Sequence, residues 1–157
     1  MRKLIFLMLG VFVFTGCLAF GANAQTGRNS VSAAEVNGSY RMNFKGKYKG
    51  SSNDIKILAL GKGRLRIAMD LIYPYMVKGE MSANMGQLDG EATIKGDTAV
   101  YDSSEFGTCK ITIKFVRPGT ITVSQEGSDF DCGFGHNVMS DGTYRKVSNR
   151  KPKFESN

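Results

Sequence analysis

The feature that most constrains this fold is a two-residue alternation of apolar and polar side chains. Leu65, Ile67 and Met69 alternate with charged or small residues, and Ile111 and Ile113 alternate with threonine and lysine. Such a pattern places one face of a β-strand in a core and the other face in water. Together with the turn residues between its runs, the alternation predicts strands over 38–45, 53–60, 64–72, 77–83, 87–95, 98–102, 108–116, 119–126 and 141–147.

These runs predict an all-β protein with roughly eight strands in an antiparallel meander or barrel, because some runs between 77 and 102 are short enough to merge or drop out. A length of 157 residues supports one domain. The segment 73–86 is ambiguous. It contains Pro74, which disfavours a central strand, so it is either a strand with a loop or a short helical lid.

The first and last predicted strands open alike. Gly38 begins a Gly-Ser-Tyr-Arg segment, and Gly142 begins a Gly-Thr-Tyr-Arg segment. Two terminal strands that paired with each other would close the barrel and remove its exposed edges. The alternative is coincidence, since such segments are a common way to leave a turn and enter a strand.

The N-terminal residues have the composition of an export signal. Arg2 and Lys3 precede an apolar run, and an Ala-Asn-Ala sequence ends at Ala24. We therefore expect residues 1–24 to be a signal peptide and the protein to be periplasmic or secreted, although a membrane anchor is the alternative. The Thr-Gly before Cys17 also resembles a lipoprotein processing box, which would make Cys17 a lipidation site and the protein a lipid-anchored envelope protein.

Two cysteines follow the predicted cleavage site. Cys109 and Cys132 are 23 residues apart, and an even number of cysteines in an exported chain predicts a disulfide, with two buried free thiols as the alternative. After the signal peptide we expect a flexible leader over 25–36, a barrel domain over 37–147 and a basic tail over 148–157.

The sequence offers little that is typical of catalysis. The single histidine, His136, excludes multi-histidine metal sites, and it lies in a glycine-rich loop beside the predicted disulfide. Asp129 and Asp131 are close enough for acid–base chemistry but are more typical of a solvated loop. We expect no enzyme activity, no metal and no cofactor. Clustered methionines can bind Cu(I), but core or contact roles are more common; four of them lie close together, Met69, Met76, Met81 and Met85.

Two segments are candidates for binding. The run 71–77 carries no charge, so Tyr73, Tyr75 and Met76 are expected to rim a barrel mouth or to form an exposed patch, unless the run is simply buried. The loop 128–142, held by the disulfide, is the second candidate. Its predicted contact residues are Phe134, His136 and Ser140.

Basic residues give the chain a formal net charge of +7. One group surrounds Phe44 and Tyr48, and another forms the tail. Such charge attracts polyanions, but the expected export of the protein argues against nucleic acid as the partner. Lipid head groups, lipopolysaccharide, teichoic acids or acidic polysaccharides are then the expected anionic partners, and a merely solubilising surface is the alternative. The first group comprises Arg41, Lys45, Lys47 and Lys49, and the second comprises Arg145, Lys146, Arg150, Lys151 and Lys153.

The Gly-x-aromatic opening at Gly38 and Tyr40, followed by a meander, resembles the lipocalin-like or calycin barrels, in which tryptophan replaces the tyrosine. The stretch from Cys109 to Tyr144 is similar to small exported bacterial proteins of unassigned role. A Ser-Asp-Gly segment at Ser140 partly resembles the bacterial lysozyme inhibitors, which insert a loop into the lysozyme cleft. These resemblances imply a small exported barrel without catalytic activity.

The expected function is therefore that of an exported binding protein, which takes either a small apolar or amphipathic ligand or an anionic envelope component. The alternative is an envelope protein-interaction module, such as an inhibitor or accessory factor, that acts through the loop 128–142. For a ligand carrier, inward positions such as Met42, Ile67 and Ile113 would govern uptake of the ligand.

Overall fold

The computed structural model describes residues 30–154, and the predicted signal peptide and Cys17 lie outside this range. Each strand pairs antiparallel with the next, and the eighth pairs with the first, which confirms the all-β fold and closes the barrel. A short helix, α1 (Ala33–Val36), precedes the strands. The strands are β1 (Gly38–Asn43), β2 (Ser52–Gly61), β3 (Arg64–Val77), β4 (Glu80–Lys95), β5 (Thr98–Ser103), β6 (Cys109–Arg117), β7 (Thr120–Glu126) and β8 (Gly142–Ser148).

The two similar strand openings meet at the seam of the barrel. β1 and β8 pair through Arg41 and Arg145, as the predicted closure requires. Tyr40 and Tyr144 are both buried, and each hydroxyl donates a hydrogen bond of 2.9 Å to the carbonyl four residues before it. The two Gly-x-Tyr segments thus satisfy a buried hydroxyl in the same local way.

Inward side chains fill the barrel. The largest of them have less than 2% of their surface exposed. A cavity large enough for a ligand would leave accessible surface on the side chains around it, so the interior is packed rather than hollow. The fully buried set comprises Tyr40, Ile55, Ile57, Leu65, Ile67, Met69, Leu71, Ile111, Ile113, Phe115, Ile121 and Tyr144.

The region 64–95 differs from the predicted strands. β3 continues through Pro74 to Val77, and the two expected strands 77–83 and 87–95 form the single strand β4. Pro74 is tolerated because the β2–β3 register runs only as far as Asp70, which leaves the proline at an edge. The segment 73–86 is therefore a β-hairpin and contains neither a loop nor a helical lid.

Order also begins earlier in the chain than expected. Helix α1 falls within the segment 25–36 that was predicted to be a flexible leader, and Val36 is buried. The ammonium group of Lys146 lies 2.9 Å from the carbonyl of Asn37 and also contacts the carbonyl of Glu35, which ties the helix to β8. In the tail, the ring of Phe154 lies against a guanidinium group on β3.

Candidate binding surface

The two ends of the barrel differ in their connections. Because every strand runs antiparallel to its neighbours, alternate connections emerge at the same end. One end, here called the turn end, carries the tight turns 62–63, 96–97 and 118–119, together with α1 and the start of the tail. The other end, here called the loop end, carries the connections 44–51, 78–79, 104–108 and 127–141. The irregular surface that long connections form is therefore concentrated at the loop end.

The most prominent part of the loop end is the hairpin extension, residues 72–85, where β3 continues beyond its pairing with β2 and remains paired with β4. Six residues of β3 in this extension correspond to about 20 Å of strand. Its turn is formed by Lys78 and Gly79, both with positive φ, as a two-residue hairpin turn requires. The outer face of the extension carries three cross-strand pairs that are entirely apolar: Ile72 with Met85, Pro74 with Ala83, and Met76 with Met81.

Neighbouring loops flank the hairpin extension on both sides. On the β3 side lies the connection 44–51, whose Ser51 hydroxyl lies 3.6 Å from the sulfur of Met81. On the β4 side, the backbone N–H of Gly135 donates to the carbonyl of Met85 at 2.9 Å. The side-chain amide of Asn84 also donates to the carbonyl of His136 at 2.7 Å. The three segments therefore form one continuous surface.

Exposed apolar side chains concentrate on this surface. Among the described residues, ten large hydrophobic side chains are exposed, and eight of them lie at the loop end. Met81 and Met85 are the most exposed of those on the hairpin extension, at 57% and 65%. The eight comprise Tyr73, Met76, Val77, Met81, Met85, Phe106, Phe130 and Met139, whereas Leu60 and Val147 lie toward the turn end.

The loop 127–141 closes the barrel and is rigidly braced. Cys109 and Cys132 form the predicted disulfide, with an S–S distance of 2.04 Å. Phe134 and Val138 are buried beneath Gly86 of β4, where a Cβ atom would lie within 3 Å of both side chains. Because the loop is pinned at both its disulfide and its buried side chains, it presents a fixed shape to solvent.

Carboxylates of this loop serve its own structure. Asp131 accepts hydrogen bonds of 2.8 Å from both the N–H and the hydroxyl of Ser128, and these bonds lower the pKa of Asp131. Asp129 accepts from the N–H groups of Phe130 and Asn137. The two side chains therefore act as braces for the loop backbone rather than as a pair that faces a shared substrate.

The predicted contact residues fall into two groups. Tyr73, Met76 and His136 are exposed at the loop end, and Tyr75 is half-buried there. The imidazole of His136 stacks on Phe130, with a centroid distance of 6.1 Å. By contrast, Phe134 and Ser140 are buried, with 3% and 0% exposed surface, so the structure places them in the support of the loop and away from solvent.

The clustered methionines do not converge on one point. Met69 lies in the core, whereas Met76 and Met81 form a cross-strand pair on the outer face of the hairpin extension, and Met85 lies four residues farther along β4. Within residues 30–154, no group of three or more His, Cys, Asp or Glu side chains is placed to hold a metal ion.

Sequence reasoning found only part of a group of lysines at the loop end. Lys45, Lys47 and Lys49 stand in the connection 44–51, and the turn of the hairpin extension adds Lys78, which sequence analysis did not connect with them. Within the described range, none of these four ammonium groups forms an ion pair. Arg41, which sequence analysis grouped with them, is neutralised by Asp54 at 2.7 Å.

Comparisons with protein-family models, with curated proteins and with solved structures find no match to this chain. The resemblances to lipocalin-like barrels and to lysozyme inhibitors consequently rest on short motifs of the sequence. Among residues 30–154, the structure contains no helix long and apolar enough to cross a bilayer.

Proposed function

We propose that this protein is an exported, non-catalytic binding protein that contacts its partner with the loop end of the barrel. The observation that carries the proposal is the packed interior. Core residues such as Ile67 and Ile113 have no exposed surface, so the barrel offers no internal space to a small ligand. A binding function must then use the outside of the molecule.

The distribution of exposed apolar groups supports the loop end as that surface. A soluble monomer rarely exposes a large contiguous apolar patch unless the patch has a partner. Here the outer face of the hairpin extension presents Met76, Met81 and Met85 without a charged residue among their cross-strand neighbours. Methionine is well suited to contact surfaces because its flexible thioether adapts to the shape of a partner.

The bracing of the loop end supports the same proposal. Its loop 127–141 is held by a disulfide and by two hydrogen bonds to the side-chain oxygen of Gln125. The N–H and the hydroxyl of Ser140 donate these bonds, each at 3.0 Å. A surface ordered before binding loses little conformational entropy when the partner arrives. Among the described residues, the turn end has two exposed large hydrophobic side chains, Leu60 and Val147, against eight at the loop end.

Site-specific photo-crosslinking tests this proposal. A photo-crosslinking amino acid is substituted at Met85 at the loop end and, in a matched control, at Val147 toward the turn end; both positions are exposed. Each full-length protein is expressed in its own host and irradiated in intact cells. We expect discrete adducts, with protein or with lipid, from position 85 and none from position 147.

Equal adducts from both positions, or no adducts from position 85, would contradict the proposal. Urea denaturation of both substituted proteins serves as the folding control. Because both side chains are largely exposed, neither substitution should change the free energy of unfolding by more than about 0.5 kcal/mol.

A further inference from the structure

We propose that the partner of the loop end is the surface of an anionic phospholipid bilayer, which the hairpin extension enters with its apolar outer face. This inference rests on the proposed function and specifies its partner. It follows from the position, relative to the exposed methionines, of four lysines that form no ion pair within residues 30–154.

The lysines lie at the tip of the hairpin extension and in the neighbouring connection, both of which adjoin the apolar face. Lys78 is at the tip of the hairpin extension, one residue beyond Val77. Lys45, Lys47 and Lys49 belong to the connection that contacts Met81 through Ser51. Lys side chains can place their ammonium groups at the level of lipid phosphates while their apolar stems lie against the acyl region.

Carboxylates are scarce in these two segments. The connection 44–51 contains none, and Glu80 is the single one in the hairpin extension, so four lysines face one glutamate. Such a combination of apolar and cationic side chains is typical of segments that lie in the interface of an anionic membrane.

Two tyrosines belong to the same two segments as the lysines. Tyr48 lies beneath the ammonium group of Lys47, at 4.9 Å from its ring centroid, and Tyr73 is exposed on the hairpin extension. Tyrosine favours the membrane–water interface because its ring is apolar and its hydroxyl remains hydrated. The connection 44–51 and the hairpin extension thus combine the lysine, tyrosine and methionine side chains expected for shallow insertion.

The remaining acidic residues of the loop end define the orientation. Glu105, Asp129, Asp131 and Asp141 lie in the connections on the β4 side of the hairpin extension. An anionic surface repels them, so the barrel should tilt to bring the connection 44–51 toward the bilayer. Phe106 and Phe130, which belong to the acidic side, should then contribute less to binding than Met81 and Met85.

Vesicle sedimentation tests the inference with the full chain that follows the predicted signal peptide. The probes are vesicles of equimolar phosphatidylglycerol and phosphatidylcholine and vesicles of phosphatidylcholine alone. We expect binding to the anionic vesicles that weakens with added salt. Removal of three lysines by Lys45→Gln, Lys47→Gln and Lys49→Gln should lower the partition coefficient about a hundredfold, since each lysine contributes about fivefold.

The matched charge control removes three lysines near the turn end by Lys62→Gln, Lys95→Gln and Lys114→Gln. This variant has the same net charge as the loop-end variant and should bind the vesicles nearly as well as the unaltered protein. Equal loss in both variants would overturn the inference, because it would show attraction by net charge alone.

The apolar contribution has its own matched pair. Met81→Ser with Met85→Ser should reduce the partition coefficient by about tenfold per methionine, whereas Leu60→Ser with Val147→Ser should leave it unchanged. Binding of soluble polyphosphate with the same affinity, and without dependence on the methionines, would also overturn the inference in favour of a general polyanion site.

The failure of this inference can be distinguished from that of the proposed function. Protein adducts from Met85 without vesicle binding would refute the lipid partner and leave the loop end as a protein-binding surface. A dimer in analytical ultracentrifugation that Met81→Ser abolishes would instead identify a second copy of the chain as the partner. Absence of both crosslinks and vesicle binding would refute both proposals.

Discussion

Gly38→Ala should open the seam that closes the barrel. Gly38 has a φ of +150°, and a Cβ atom there would lie 2.2 Å from the carbonyl oxygen of Ser148. That oxygen belongs to the backbone of β8, so the strands must separate at the Ser39–Ser148 pair. Backbone strain of roughly 2 kcal/mol and the loss of about two hydrogen bonds, at about 1 kcal/mol each, together predict a destabilisation of about 4 kcal/mol.

Gly46→Ala is the matched control for this prediction. Gly46 also has a positive φ, of +62°, but a Cβ atom there meets no other atom within 4 Å. Its substitution should therefore cost only the backbone strain, about 1–2 kcal/mol. Urea denaturation followed by far-UV circular dichroism measures both variants, and hydrogen exchange should show faster exchange at the β1–β8 pairs in Gly38→Ala alone.

A difference of less than about 1 kcal/mol between the two variants would refute the reasoning. It would mean that the contact between Gly38 and β8 contributes nothing to closure and that only the conformation of the glycine matters. If this small difference is accompanied by unchanged hydrogen exchange at Ser148, β8 must move without losing its pairing with β1.

Three further predictions concern the core and the loop. Replacement of Cys109 and Cys132 by alanine should lower the free energy of unfolding by about 3 kcal/mol in urea denaturation, from the entropy of closing a loop of this length; a loss below about 1 kcal/mol would contradict this account. Burial raises the pKa of Tyr40 and Tyr144, so their stabilisation is complete below pH 10 and is lost as the pH rises further. Ultraviolet titration should show these two tyrosines ionising only as the barrel unfolds, and their titration in the folded protein would refute the burial argument. Hydrogen bonds from Ser128 lower the pKa of Asp131 below its ordinary value of 3.8, so Asp131 stabilises the folded state when the pH is above 3.8, and this stabilisation is lost as the pH falls further. Asp131→Asn should therefore reduce the loss of unfolding free energy at acid pH, and an unchanged acid dependence would contradict this role.

Local patterns predicted most of the sheet. The alternation around Ile67 and Ile113 identified the inward face of their strands, and both side chains are fully buried. The repeated Gly-x-Tyr-Arg segments predicted the pairing of β1 with β8. These predictions succeed because strand formation and burial of one face depend on residues close together in the sequence.

The length of β4 could not be predicted in the same way. A break was expected between the predicted strands 77–83 and 87–95, yet Gly86 in that interval and Gly90 beyond it both lie within the continuous strand. The rings of Phe134 and Tyr101 pack against them and would lie within 3 Å of an added Cβ atom. Glycine is therefore used there for close approach by other segments, which are distant in sequence.

The candidate surface was predicted only in part. An uncharged run around Tyr73 and Met76 pointed to the hairpin extension, and both residues are exposed there. Phe134 and Ser140 have sequence surroundings as loop-like as those of His136, yet the structure buries the first two and exposes the third. Whether a loop residue points inward depends on the space left at the end of the barrel, which no local pattern encodes.

The sequence by itself determined the strand periodicity, the seam and the disulfide, because each follows from residue types at short spacing or from a single cysteine pair. Tertiary structure alone decided that the barrel interior is full and that Lys78 joins Lys45, Lys47 and Lys49 beside the exposed methionines. The physical reason is that closure of the barrel gathers alternate connections at one end, so that side chains far apart in the chain share one surface.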